Sequence, residues 1–215
     1  MAESWQRCRE GMAEESGVDD HEVLTAQKSL EGDHSDDRES NSREAAAAQT
    51  VGAWMAPFKA PLEAEIAELE GALAGLGLAE VEDSTIPKAD CRMDAMLRLV
   101  AERLRDDNGQ WREDERLVLF TEYKTTLDYL VRRLRSQMKE EGVILPLYGG
   151  MPEAEREVVK RAFNDPASAV RILVATDAAS EGLNLQESAR YILHFDVPWN
   201  PSRLEQRNGR LDRHG

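Results

Sequence analysis

The sequence predicts an α/β fold: a parallel sheet with helices on both faces, preceded by a disordered or helical N-terminal extension. Three observations predict it. Short apolar runs at 117–121, 143–148, 170–175 and 191–195 have strand length and turn residues at their ends. Between them lie longer segments whose apolar residues recur at helical spacing. Leu127, Leu130, Val131, Leu134 and Met138 mark a helix over 125–141, and Val158, Val159 and Phe163 mark one over 152–163. Nearly continuous apolar strands alternating with helices describe a sheet buried on both faces, as parallel connections require. Ligands of such sheets gather at the carboxyl ends of the strands, so the residues that follow each strand are the first place to look for function.

Taken in order, the chain divides into an acidic tail (1–50), an amphipathic helical linker (51–87) and the α/β part (88–215). Residues 1–50 hold 13 acids and 5 bases and few β-branched or aromatic residues, so they predict disorder, clearest over 33–42. Val23, Leu24 and Leu30 mark at most a marginal helix. From Pro61, Leu62, Ile66, Leu69, Leu73 and Leu76 step by four and three, a narrow helical seam ended at Gly75 and Gly77. Asp90 predicts a cap for a helix reaching Leu104, with Met93, Met96, Leu97, Val100 and Leu104 on one side. A polar loop over 106–115 then leads to the first strand.

The net charge of −15 argues against a nucleic-acid surface, which needs cations to displace counterions. Its distribution reverses that inference locally: residues 189–215 carry five arginines against three acids. Cys8 and Cys91 stand far apart and outside metal-ligand spacing, and no metal site is predicted. No apolar run reaches the length of a membrane span and no signal peptide opens the chain. No membrane role is predicted, and a cytoplasmic location is expected.

The most informative stretch is the last one. Asn200 followed by Pro201 reads as an N-cap with proline at the first helical position, with Trp199 and Leu204 placed to staple the entry. On that helix Gln206, Arg210 and Arg213 share one face, and Arg203, Arg207 and Arg210 share an adjoining stripe. Stacked like charges repel by a few tenths of a kcal/mol per pair. The helix therefore needs acids elsewhere in the fold or a bound polyanion, and guanidinium suits multidentate phosphate recognition.

Gln206-x-x-Gly209-Arg210-x-x-Arg213 resembles motif VI of superfamily-two helicases and Swi/Snf-type DNA translocases. Ala175-Thr-Asp-Ala-Ala-Ser-Glu-Gly-Leu-Asn-Leu-Gln186 resembles motif V, and Leu117-Val-Leu-Phe-Thr-Glu-Tyr123 resembles motif IV, in the family's order. The form of motif V leans toward the bacterial RapA/HepA-like branch. The resemblance covers residues 88–215 and implies the C-terminal RecA-like lobe of such a motor.

It also implies roles. Arg210 and Arg213 would be arginine fingers for ATP, with Gln206 beside them sensing the γ-phosphate. Gly209 allows close approach at the helix turn. Asp177 would organise its loop or pair with a motif VI arginine, and Glu181, Gly182 and Asn184 would couple nucleotide to the track. Asn184 stands where many relatives carry an acid. Thr176, Gly149 and Gly150 would meet nucleic-acid phosphates, with Arg156 a further candidate. Each has a plainer structural reading as a strand end, a turn or a solvated base. Tyr123 is expected to pack, and His194 to be a hydrogen-bonded core histidine.

These 215 residues contain no Gly-x-x-x-x-Gly-Lys-Ser/Thr loop and no Asp-Glu-x-His box. The resemblance therefore implies a partner, an N-terminal RecA-like lobe that holds ATP and Mg2+, and predicts that the isolated chain is inactive. The track is expected to be double-stranded DNA. Because relatives continue beyond the position of Gly215, the chain reads as a fragment or half of a split gene. The alternative is a non-catalytic interaction module or a gene remnant derived from such a lobe.

Overall fold

The computed structural model describes residues 2–13, 17–30, 36–80, 85–180, 188–198 and 201–209. They form two compact units, one of residues 1–34 and 39–90 and one of residues 35–38 and 91–215.

In the second unit the strands are β1 (Leu117–Thr121), β2 (Ile144–Leu147), β3 (Ile172–Thr176) and β4 (Tyr191–His194). All pairings are parallel, in the order β2-β3-β1-β4. The register sets Leu117 beside Ile172 and Thr121 beside Thr176. Consecutive side chains of a strand point to opposite faces, and both faces are apolar. Leu117, Leu119, Ile172 and Val174 meet Met93, Met96, Val100 and Leu104 of α5 (Cys91–Leu104) and Leu127, Leu130 and Leu134 of α6 (Lys124–Met138). Val118, Phe120, Leu173 and Ala175 form the other core with Phe163 of α7 (Glu153–Asn164) and Ala179 of α8 (Asp177–Ser180). The expected parallel sheet covered on both faces is the observed one, and Thr176 and the Gly149-Gly150 turn lie at the carboxyl ends of β3 and β2.

Helix α6 stops three residues short of its predicted end because Lys139 takes a left-handed conformation (φ 52°) that breaks the hydrogen-bond ladder. The last helix, α9, spans Pro201–Asn208. Its predicted cap and staple involve Trp199 and Asn200, which lie outside the described residues.

Of the disordered or helical extension expected before the sheet, the described part is helical: α1 (Ala2–Ala13), α2 (Asp20–Ser29), α3 (Asp37–Met55), a short 3-10 helix (Ala56–Phe58) and α4 (Glu63–Gly75). Composition pointed the other way because helix formation here is local. Asp19 and Glu22 make a reciprocal capping box on α2. The alanines at 45–48, the best helix formers, continue α3.

Two glycines then let α1 and α3 touch backbone to backbone. A Cβ at Gly52 would collide with the Cys8 carbonyl, and one at Gly11 with the Gln49 carbonyl. Gly52→Val is expected to destabilise this contact by about 2 kcal/mol, a typical cost of overpacking. Amide exchange in α1 would be faster; unchanged protection there would contradict the close approach.

Candidate functional site

The carboxyl end of β3 is where the site is organised. Thr176 ends the strand, is fully buried, and stands next to the turn that follows β2. Its Oγ1 lies 3.3 Å from the amide nitrogen of Gly149, which donates to it. Both groups also donate to one carboxylate oxygen, Asp37 Oδ2, Gly149 N at 2.5 Å and Thr176 Oγ1 at 2.6 Å. Gly150 completes the turn at φ +78°, a region that glycine enters at no steric cost, and a Cβ there would overlap the Asp36 carboxylate. Asp37 is 5% exposed. Burial pushes its carboxyl above the usual range, opposed by the Thr176 and Gly149 hydrogen bonds and by the Lys124 ammonium. An amide and a hydroxyl thus converge on one negative oxygen at the ends of two adjacent parallel strands. This is an anion seat.

Asp177, the next residue, faces the other way and anchors α9. Arg207 grips it bidentately, Nε to Oδ1 at 2.5 Å and Nη2 to Oδ2 at 2.8 Å. The same guanidinium donates to the Asp196 carbonyl at 2.9 Å and sits 5.6 Å from the centre of the Phe120 ring. Asp196, just beyond β4, accepts from the Thr121 hydroxyl at 2.5 Å and from the Glu122 amide at 2.9 Å. One arginine, 1% exposed, therefore ties the ends of β1, β3 and β4 to α9. These acids neutralise Arg207, one member of the arginine stripe.

His194 belongs to this network and only partly to the core. Its Nδ1 accepts from Arg207 Nη1 (3.4 Å), which leaves Nε2 as the donor to Asn208 Oδ1 (3.1 Å). Burial, and then the Arg207 charge, lower its pKa from the usual 6.5, against the Asn208 bond and the charges of Asp177 and Asp196. Because the folded pKa lies below the unfolded one, the unfolded chain binds the extra proton and stability is lost as pH falls through 6.5 toward the folded pKa. Urea midpoints should fall between about pH 7 and about pH 5, and His194→Gln should flatten that part of the profile. An unchanged slope would contradict the assignment.

Of the residues expected at the site, the structure brings Thr176, Gly149 and Gly150 together. Arg156 is tied down on α7: Nη2 donates to the Ala179 carbonyl at 3.3 Å and Nη1 lies 3.5 Å from Glu153. It braces α8, which lies within the motif V stretch. Gln206 is exposed on α9, one residue before the anchor. Gly209 closes α9 through a bond from its amide to the Glu205 carbonyl, the nearest atom a Cβ would meet, so its surroundings are its own helix. Tyr123, expected to pack, is 45% exposed. Arg210, Arg213, Glu181, Gly182 and Asn184 lie outside the described residues.

Sequence reasoning placed Arg207 only on a stripe and missed Asp37 and Asp196. Only Asp196 left a signal, an acid directly after an apolar strand. Among the described residues, no helix is long and apolar enough to cross a membrane, and no group of three or more His, Cys, Asp or Glu residues is placed to hold a metal ion.

This arrangement, a parallel sheet with an anion seat and an arginine-anchored helix at its strand ends, is a RecA-like lobe. The chain belongs to the helicase conserved C-terminal domain family, whose model matches residues 93–215. It is similar to the uncharacterized ATP-dependent helicase YqhH of Bacillus subtilis (strain 168), 36% identical over 103 residues, 47% of this chain and 17% of that protein. It is also similar to the RNA polymerase-associated protein RapA of Vibrio campbellii (strain ATCC BAA-1116), 34% identical over 137 residues, 63% of this chain and 13% of that protein. The chain thus spans under a fifth of the length of these relatives. Among solved structures, the C-terminal part of the Fun30 ATPase domain aligns with a TM-score of 0.50 and 16% identity, covering 92% of this chain and 58% of that one, a likeness of fold.

Proposed function

We propose that this chain supplies the C-terminal lobe of an ATP-dependent, Swi/Snf-like translocase or helicase that moves on double-stranded DNA. The observation that carries this reading is the anion seat: the Gly149 amide and the Thr176 hydroxyl aimed at a single carboxylate oxygen. A phosphodiester oxygen has the same charge and the same need for two donors. Backbone-phosphate contacts fix a protein on its track without reading sequence, which is what a motor that moves along DNA requires. Arg156 would stiffen the seat from α7, and Glu181, Gly182 and Asn184 would link it to the nucleotide.

The ATP site would be shared. An N-terminal RecA-like lobe, in the same polypeptide or supplied by a partner, would hold ATP and Mg2+. From this side Gln206, Arg210 and Arg213 would approach the γ-phosphate from α9 and the residues that follow it. Fingers of this kind stabilise charge that develops during transfer to water, and they act only when held rigidly. The Arg207–Asp177 pair, which anchors α9 just ahead of them, would supply that rigidity. With the phosphate loop on the other lobe, this chain alone would not turn over ATP.

Thr176→Val keeps the shape of the side chain and removes the hydroxyl. In a chain whose seat is freed by Asp37→Ala, adding Thr176→Val is expected to lower affinity for a short duplex at low salt about tenfold, the worth of a hydrogen bond to a charged group, with the circular dichroism spectrum unchanged. Equal affinity in the folded variant would overturn the seat as a phosphate site.

A further inference from the structure

The seat already has an occupant. Asp37 Oδ2 accepts both the Gly149 amide (2.5 Å) and the Thr176 hydroxyl (2.6 Å), so neither donor is left to face a second anion. Asp36 sits against Gly150, where the absence of a Cβ makes room for its carboxylate. The two acids therefore cover both glycines of the turn. Their hold on it is long-range: Asp37 lies 112 residues before Gly149 and 139 before Thr176. Asp37 and Asp36 nevertheless belong to the same compact unit as the sheet.

A carboxylate buried at a phosphate contact has two effects. It takes the donors, and it sets a negative charge where another would have to enter. Removing a carboxylate from water is also costly, which keeps such an occupant displaceable by a better anion. Resting on the reading of the seat as a DNA-phosphate contact, we propose that Asp37, flanked by Asp36, is an internal phosphate mimic. It closes the seat to DNA until the track displaces it.

The test uses the whole 215-residue chain and a short fluorescein-labelled DNA duplex, read by fluorescence anisotropy at low salt. Asp37→Ala is expected to bind the duplex about tenfold more tightly than the natural chain, because a competing charged acceptor is gone. Asp37→Asn, which keeps the side-chain shape, should also bind more tightly. It serves as the second variant if the alanine change disturbs folding.

Glu39→Ala makes the same change in net charge at an exposed residue two positions away and should leave affinity within about twofold. Adding Thr176→Val to Asp37→Ala should abolish the gain. Equal tightening by Glu39→Ala would reduce the effect to bulk charge and overturn the proposal. No tightening in either Asp37 variant, with Thr176→Val still weakening binding, would overturn the mimic while leaving the phosphate seat in place. Indifference of binding to both Asp37 and Thr176 would overturn the mimic and the seat together.

Discussion

Alanine at Arg210 or Arg213 is expected to lower ATP turnover of the assembled two-lobe motor by about 10³-fold or more, while duplex affinity stays within about twofold. The size follows from the role: a finger acts on charge that exists only as the phosphoryl group transfers, so losing it costs rate and little binding. Lysine should rescue poorly at either position, since an ammonium cannot reproduce the planar fork of donors. Steady-state hydrolysis at saturating DNA, with affinity measured in parallel, checks both halves of the expectation. Near-normal turnover in either alanine variant would remove that residue from the ATP site.

The second large effect is at Arg207. Replacement by methionine keeps much of the stem but removes the bidentate partner of the Asp177 carboxylate and withdraws a donor from the Asp196 carbonyl. Breaking a buried pair by removing one partner typically costs about 3–5 kcal/mol, and the partial exposure of Asp177 (19%) places this pair near about 3 kcal/mol. Denaturant unfolding of the chain should show that loss. A double-mutant cycle with Asp177→Leu should be strongly non-additive, because each single change removes the same interaction. A loss below about 0.5 kcal/mol would mean that α9 is held by something else.

Arg207 also shows where sequence reading stops. Periodicity located the four described strands and helices α5, α6 and α7, though not the four-residue α8, since continuous apolar runs and the 3.6-residue repeat leave marks within a few residues. It placed Thr176 and the Gly149-Gly150 turn at strand ends, and the resemblance supplied the idea that Asp177 pairs with an arginine of motif VI. Which arginine does so depends on three-dimensional neighbours. Strand order β2-β3-β1-β4 sets the ends of β1, β3 and β4 side by side, so Asp177 and Asp196 converge on one guanidinium although 19 residues separate them.

Asp37 was less legible still. Composition assigned it to a disordered acidic tail, and nothing in its neighbourhood marks a residue that will be buried beside Thr176. Helix α3, which begins at Asp37, follows from local hydrogen bonds and alanine content, quantities that a count of charges does not weigh.

Amide chemical shifts test the central claim most directly. In a uniformly labelled chain carrying Asp37→Ala, titration with a DNA duplex should move the amide signals of Gly149, Gly150 and Thr176 first and furthest. The natural chain should show the same shifts only at higher DNA concentration. Shifts confined to other surfaces in both chains, with these three amides unmoved, would contradict the reading of this lobe as one that grips DNA at the ends of β2 and β3.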